Sequence, residues 1–199
     1  MCVAKIDIKI NQDWTPLINK FLNLKKVIGS TEVKSTYIEG FGENLYSFGD
    51  NGALIFYNQI SVEKNTTGQL SGRMVENMLP WSKQLKTDLF GLNMASMGIQ
   101  GNWDNITEHN DGQVDSAINA HCKLNYAIST TDAMTYARNG NEIFSYPTIK
   151  DHAYLIDTTK NHWVECKGVR FIFQIAFHES WETVYDWFSK HPGLRYGAE

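Results

Sequence analysis

The chain has 199 residues, 42% hydrophobic and 13% aromatic, with 18 basic against 22 acidic side chains and a net charge of -4. That length suffices for one domain that buries most of its unfolded surface without staples. The acidic balance argues against a surface built to follow a nucleic-acid backbone, and the scattered Cys2, Cys122 and Cys166, with no C-x-x-C pair, argue against a zinc ribbon or disulfide framework and for a reducing, cytoplasmic setting.

The N-terminal stretch lacks a basic segment followed by an apolar core and a small-residue cleavage site, and no run approaches the length of a membrane span. The sequons at Asn65 and Asn105 read as chance occurrences in polar loops. Lys5 to Ile10 alternates as a short strand, and Thr15 with Pro16 reads as the cap and first turn of a helix that gathers Leu17, Ile18, Phe21 and Leu22 on one face. Extended segments are expected near Val33 to Ile38, Asn44 to Phe48 and Ala53 to Tyr57, the last two forming a hairpin through Gly49-Asp50-Asn51-Gly52. From Gly72 to Phe90 the spacing of Met74, Met78, Leu79, Leu85 and Leu89 is helical, with Pro80 placed to kink the helix or mark its first turn.

After Gly91 the pattern becomes a series of short strands broken by turns. They are expected at Leu92 to Met97, Trp103 to His109, Lys123 to Ser129, Ala133 to Ala137, Glu142 to Tyr146, Ala153 to Asp157, Trp163 to Cys166 and Phe171 to Phe177. About eight strands is the count of a sandwich or barrel. From Ser180, the residues Trp181, Val184, Tyr185 and Phe188 share one face of a closing helix that stops at His191-Pro192-Gly193. The expectation is a single domain over 1–199, with N-terminal strands and supporting helices over 1–91, a β-rich core over 92–178 and a C-terminal helix and tail over 179–199.

The chemistry concentrates in the second half. In "ITEHNDG", His109 and Asp111 stand two apart, a spacing that on extended chain projects both side chains from one face toward a common ion. In "LIDTTKNHWVE", His162 lies just after a predicted strand and supplies a third ligand. Two histidines and one carboxylate on one triangular face leave the opposite positions open, the arrangement suited to non-haem iron(II) and to a bidentate keto acid with dioxygen. Arg170, at the start of "RFIFQIAF", offers a permanently charged fork to a carboxylate from within an apolar strand, where an unpaired guanidinium is costly. Singly, each signal has an ordinary reading as a chance triplet, a satisfied histidine or an ion-pair partner. The combination of order, separation and β-rich setting favours the metal centre.

Over about Asn93 to His178, and most specifically in "YLIDTTKNHWVECKGVRFIFQIAF", the sequence resembles the aspartyl/asparaginyl β-hydroxylase-like branch of the 2-oxoglutarate oxygenases. The resemblance implies a mainly β fold with flanking helices, a double-stranded β-helix of the jelly-roll or cupin type, with Fe(II), 2-oxoglutarate and O2 at its open end. His109 and His162 match the family's histidine ligands, and Asp111 supplies a carboxylate that most of the wider superfamily has and some β-hydroxylases lack. Arg170 matches the arginine for the distal carboxylate of 2-oxoglutarate. Ser96 looks like the serine that assists it, although it sits two residues further from His109 than in the family pattern. In "HCKLNYAI", Lys123 and Asn125 occupy the family's arginine and histidine positions with different residues. By resemblance Asn125 hydrogen-bonds the co-substrate and Lys123 meets an anionic group of the prime substrate; the plainer reading is of inward polar positions on an ordinary strand.

The function so implied is hydroxylation of an amino-acid side chain, free or peptidyl, with release of succinate and CO2. A nucleobase or small metabolite as substrate, and a non-catalytic cupin-like binding module, are the alternatives. Partners are expected to be a small molecule or peptide, with neither nucleic acid nor membrane. Gly40-Phe41-Gly42 lacks the rest of a dinucleotide fingerprint. His121, His152, His178 and His191 lack ligand spacing, and Trp81, Trp103 and Trp163 read as core or rim. Asp157 either orients the His162 ring or forms a turn.

Overall fold

The computed structural model describes residues 1–19, 22, 36–38, 42–48, 53–59, 79–102, 105–111 and 120–197. Eight strands carry the architecture: β6 (Met94–Asn102), β7 (Ile106–His109), β8 (Cys122–Ala127), β9 (Met134–Asn139), β10 (Glu142–Pro147), β11 (Ala153–Asp157), β12 (His162–Glu165) and β13 (Arg170–Phe177). They divide between two antiparallel sheets, in the orders β11-β8-β13-β6 and β10-β9-β12-β7, with successive strands changing sheet except at the β9-β10 hairpin. This is a double-stranded β-helix, the fold expected. The first sheet is extended beyond β11 by β1 (Val3–Ile6), and beyond β6 by β5 (Ala53–Gln59), β4 (Gly42–Phe48) and β3 (Thr36–Ile38).

The larger sheet has two chemically different faces, set by strand alternation. Phe171, Phe173, Ile175 and Phe177 of β13, Met97 and Ile99 of β6, and Leu124 and Tyr126 of β8 are all buried on its outer side. They pack with Trp14, Leu17, Leu85, Leu89, Val184 and Phe188 in one apolar core. Each large side chain so buried contributes about 1.5–3 kcal/mol. The opposite face turns toward the smaller sheet, and there the registers line up polar and small residues. Ser96 lies beside Ala176, which lies beside Lys123; Gly98 lies beside Gln174, then Asn125, then Tyr154; and Asn102 lies beside Arg170. A closed sandwich interior is normally apolar. This one carries polar side chains on every strand of the face.

The supporting elements follow the sequence with definite departures. The predicted strand from Lys5 to Ile10 is two strands, because the chain changes sheets at Asp7: β1 joins β11, whereas β2 (Ile8–Asn11) pairs in parallel with β14 (Leu194–Gly197). A Cβ at Gly197 would collide with the Asn11 backbone, so the close pairing at the end of β14 requires glycine. β14 was not anticipated, since four residues ending in glycine carry almost no periodic signal. β6 runs unbroken through Gly98 and Gly101, where turns were expected, because pairing with β5 and β13 on both sides overrides the local preference of glycine.

Residues 15–19 are helical, and the first turn is capped by Asp13, whose Oδ1 accepts from the Thr15 backbone N–H. Pro80 stands in the turn that opens α1 (Ser82–Asp88), where its carbonyl accepts from Lys83 N. β4 and β5 pair as the expected hairpin, whose turn at 49–52 lies outside the described residues. Outside them too lie the expected extension of β3 to Val33, the expected helical positions Met74 and Met78, and the residues Phe21, Asn65 and Trp103. α2 (Trp181–Lys190) begins at Ser180 and buries Trp181, Val184 and Phe188, as its periodicity requires. Among the described residues no helix is long and apolar enough to cross a membrane.

Candidate metal centre

β7 delivers His109 as its last residue, Asp111 follows in the turn, and β12 presents His162 as its first residue, directly opposite His109 in the register. One ligand atom from each of the three lies within 4.8 Å of the others. The two imidazole rings are 4.3 Å apart between centroids. Asp111 is fixed by its backbone, whose N–H donates to the Thr158 carbonyl.

The hydrogen bonds decide which imidazole nitrogens are free. His109 Nδ1 lies 2.7 Å from the Thr107 carbonyl, and His162 Nδ1 lies 3.0 Å from the Lys160 carbonyl. A carbonyl can only accept, so both Nδ1 atoms carry the proton and both Nε2 lone pairs are available to an ion. Asp157, which sequence alone left between orienting His162 and forming a turn, accepts from the backbone N–H and hydroxyl of Thr159. It forms the turn.

Burial and charge act on two of the three groups. Burial pushes the His162 pKa down to about 4, against the opposing pull of Asp111 and the Lys160 carbonyl, so the ring is neutral at pH 7. Burial alone would raise the Asp111 pKa, but the Lys123 ammonium and the two imidazoles more than offset it and hold the carboxyl below its ordinary range. Lys123 Nζ sits 2.8 Å from Asp111 Oδ2, while Asp111 Oδ1 faces His109 Nε2 at 3.7 Å. The His109 side chain is 35% exposed, which places the triad at the open end of the barrel.

Deeper in, Arg170 is 3% exposed and Asn102, its register partner, is wholly buried. Arg170 Nη1 and both side-chain polar atoms of Asn102 have no hydrogen-bond partner. Burial lowers the Arg170 pKa, while nearby Tyr146 and Cys166 favour its charge. Buried polar groups are ordinarily satisfied, so this unpartnered pair is an exception within the interior. Between it and the triad runs a hydrogen-bonded ladder: Gln174 Nε2 donates to Asn125 Oδ1 at 2.8 Å, and Asn125 Nδ2 donates to Tyr146 Oη at 2.9 Å. Tyr146 stacks on Tyr154 at 4.3 Å.

The structure therefore brings His109, Asp111, His162 and Lys123 together at one end of the interior and sets Arg170 at the other. Asn125 lies between them, and Ser96 is buried on the triad's side, two strands from Lys123. Asn102, Tyr146 and Gln174 were missed in the sequence. The inward alternation of Ser96, Gly98, Gln100 and Asn102 could have exposed Asn102 had the predicted strand not been ended at Met97.

No family model and no curated protein matches the sequence. The chain shares its fold with a prolyl hydroxylase. That structure, from Trichoplax adhaerens and in complex with a hypoxia inducible factor oxygen degradation domain peptide fragment, aligns with a TM-score of 0.53 at 11% identity, covering 88% of this chain and 82% of that one. A Pseudomonas putida prolyl-4-hydroxylase aligns at 0.49 with 7% identity, over 88% and 91% of the two chains. The non-heme alpha ketoglutarate dependent epimerase SnoN aligns at 0.47 with 10% identity, over 88% and 77%.

Proposed function

We propose that this chain is a non-haem Fe(II) and 2-oxoglutarate-dependent dioxygenase that hydroxylates an amino-acid side chain, free or within a peptide. One observation carries the reading: two imidazoles, each with Nδ1 on a backbone carbonyl, and a carboxylate share a polar barrel interior with a buried guanidinium that no carboxylate among the described residues answers. Nitrogen and oxygen donors of this kind suit ferrous iron, and His109, Asp111 and His162 would hold it. When bound, the iron supplies oxidative decarboxylation of the keto acid to succinate and CO2, coupled to transfer of an oxygen atom from O2 to the substrate.

The chain's own residues then divide the remaining work. Arg170 pairs with the distal carboxylate of 2-oxoglutarate, bidentately if both terminal nitrogens engage. Asn125, oriented by Gln174 and Tyr146, lines the path between Arg170 and the triad, with Ser96 two strands away on β6. Lys123, already turned on Asp111, keeps further ammonium protons for an anionic group of the prime substrate. The peptide held by the Trichoplax adhaerens enzyme supports a peptidyl substrate by likeness of fold.

Anaerobic titration of the purified protein with Fe(II) and 2-oxoglutarate tests the proposal. A visible charge-transfer band is expected in the wild type and absent in His109→Ala and Arg170→Ala. An undiminished band in His109→Ala would remove that residue from the iron, and a band without succinate formation for any amino-acid or peptide substrate would favour a binding module.

A further inference from the structure

Lys123 is the second residue of β8, inward-facing, in a row with Ala176 and Ser96. Its side chain is 22% exposed and that of Asp111 is 14% exposed. The other ion pairs among the described residues that do not involve a candidate ligand, Arg138–Glu108, Lys190–Asp186 and Arg195–Asp7, lie on the surface. Lys123–Asp111 is thus the one lysine or arginine pair inside the barrel among the described residues, and it is made with the only carboxylate of the triad. A pair placed there gives the fold little, since desolvating two charges offsets much of their attraction. Its position instead divides the carboxylate: Oδ2 is held by the ammonium, and Oδ1 is turned toward His109.

We propose that Lys123 is a built-in counter-cation of the metal centre, which neutralises Asp111 while no ion is bound, confines that carboxylate to ligation through one oxygen, and lowers the affinity for a divalent cation. The inference rests on the reading of His109, Asp111 and His162 as metal ligands. Its physics is simple. In the metal-free protein an unaccompanied buried carboxylate would be costly, and the ammonium removes that cost. Once a dication binds, two positive groups flank a single carboxylate and repel each other. An incoming dianionic co-substrate relieves that repulsion, so metal and co-substrate affinities become coupled, and the coupling is reciprocal.

The experiment follows Mn(II) binding to the chelator-stripped full-length protein by the loss of the free-ion electron paramagnetic resonance signal, for wild type, Lys123→Met, Lys123→Gln, Lys123→Arg and His109→Ala. Removal of the charge in Lys123→Met and Lys123→Gln is expected to tighten Mn(II) binding by about tenfold or more, while Lys123→Arg stays near wild type. In thermal melts of the metal-free protein, Lys123→Met and Asp111→Asn each lower the midpoint, and the Lys123→Met/Asp111→Asn double variant recovers most of the loss. Equal or weaker Mn(II) binding in both uncharged variants, or strictly additive midpoints, would overturn the role assigned to Lys123. Mn(II) binding that survives in His109→Ala would instead overturn the metal-centre reading beneath it.

Discussion

At the scale of single residues, the site is defined by what each polar group has or lacks. Arg170 carries a charge into a buried strand, and no carboxylate among the described residues pairs with it. Replacing it with methionine, of similar length and no charge, should leave the ligand-free protein as stable or more stable by up to about 3 kcal/mol, the reverse of an ordinary core substitution. The same variant should lose the thermal stabilisation that 2-oxoglutarate gives the wild type, a shift worth about 2.7 kcal/mol at a hundredfold excess over Kd. Paired melts with and without the keto acid check both. His162 gives a pH signature. Its folded pKa of about 4 lies below the ordinary value of 6.5. Between those values the unfolded chain binds more protons, so the metal-free protein loses stability as pH falls from about 6.5 toward 4, by on the order of 3 kcal/mol at most. Denaturant titrations at pH 7 and pH 4.5 should show a smaller fall in His162→Asn than in the wild type. The i, i+2 pair of His109 and Asp111 was legible in the sequence as a spacing, although the strand that was to align the two ends at His109, and the following turn, fixed by Asp111 N–H on the Thr158 carbonyl, brings the carboxylate round instead. The partner of Lys123 was not: it depends on how the turn after β7 comes back over β8, a relation that no spacing along the chain encodes.

At the scale of elements, legibility follows periodicity. β11 was read with its exact bounds, and β13 needed only Arg170 added at its start, because branched and aromatic residues dominate both runs. α2 was equally plain, with its apolar stripe and a serine in front. Ser180 Oγ accepts from Thr183 N at 3.3 Å and satisfies one of the free donors of the first turn. Ser180→Ala should cost about 1 kcal/mol, read as a drop of about 2–4 °C in Tm for a chain of this size. Elements whose definition rests on a distant partner were the ones misjudged. β6 crosses two glycines because strands on both sides pair with it, β1 and β2 separate because they belong to different sheets, and β14 exists because β2 is there to receive it. Long-range pairing settled these cases over local preference.

At the scale of the whole molecule, the eight strands of the barrel were counted correctly from turns and alternation, and their order in two sheets follows from antiparallel pairing of β6 through β13. What the pattern could not reveal was the division of labour between the two faces of the larger sheet. Runs such as "RFIFQIAF" look uniformly apolar with a few polar interruptions, yet the interruptions all fall on one side. The apolar side packs against the helices, and the polar side faces the smaller sheet and the candidate site. Cohesion and chemistry are thereby assigned to alternate positions of the same strands. The odd-numbered phenylalanines of β13 can be kept as ballast while inward positions are exchanged, so a combinatorial library on that face that spares Arg170, Asn125, Lys123 and Ser96 would reshape the interior wall without touching the packing that holds the sheet to its helices.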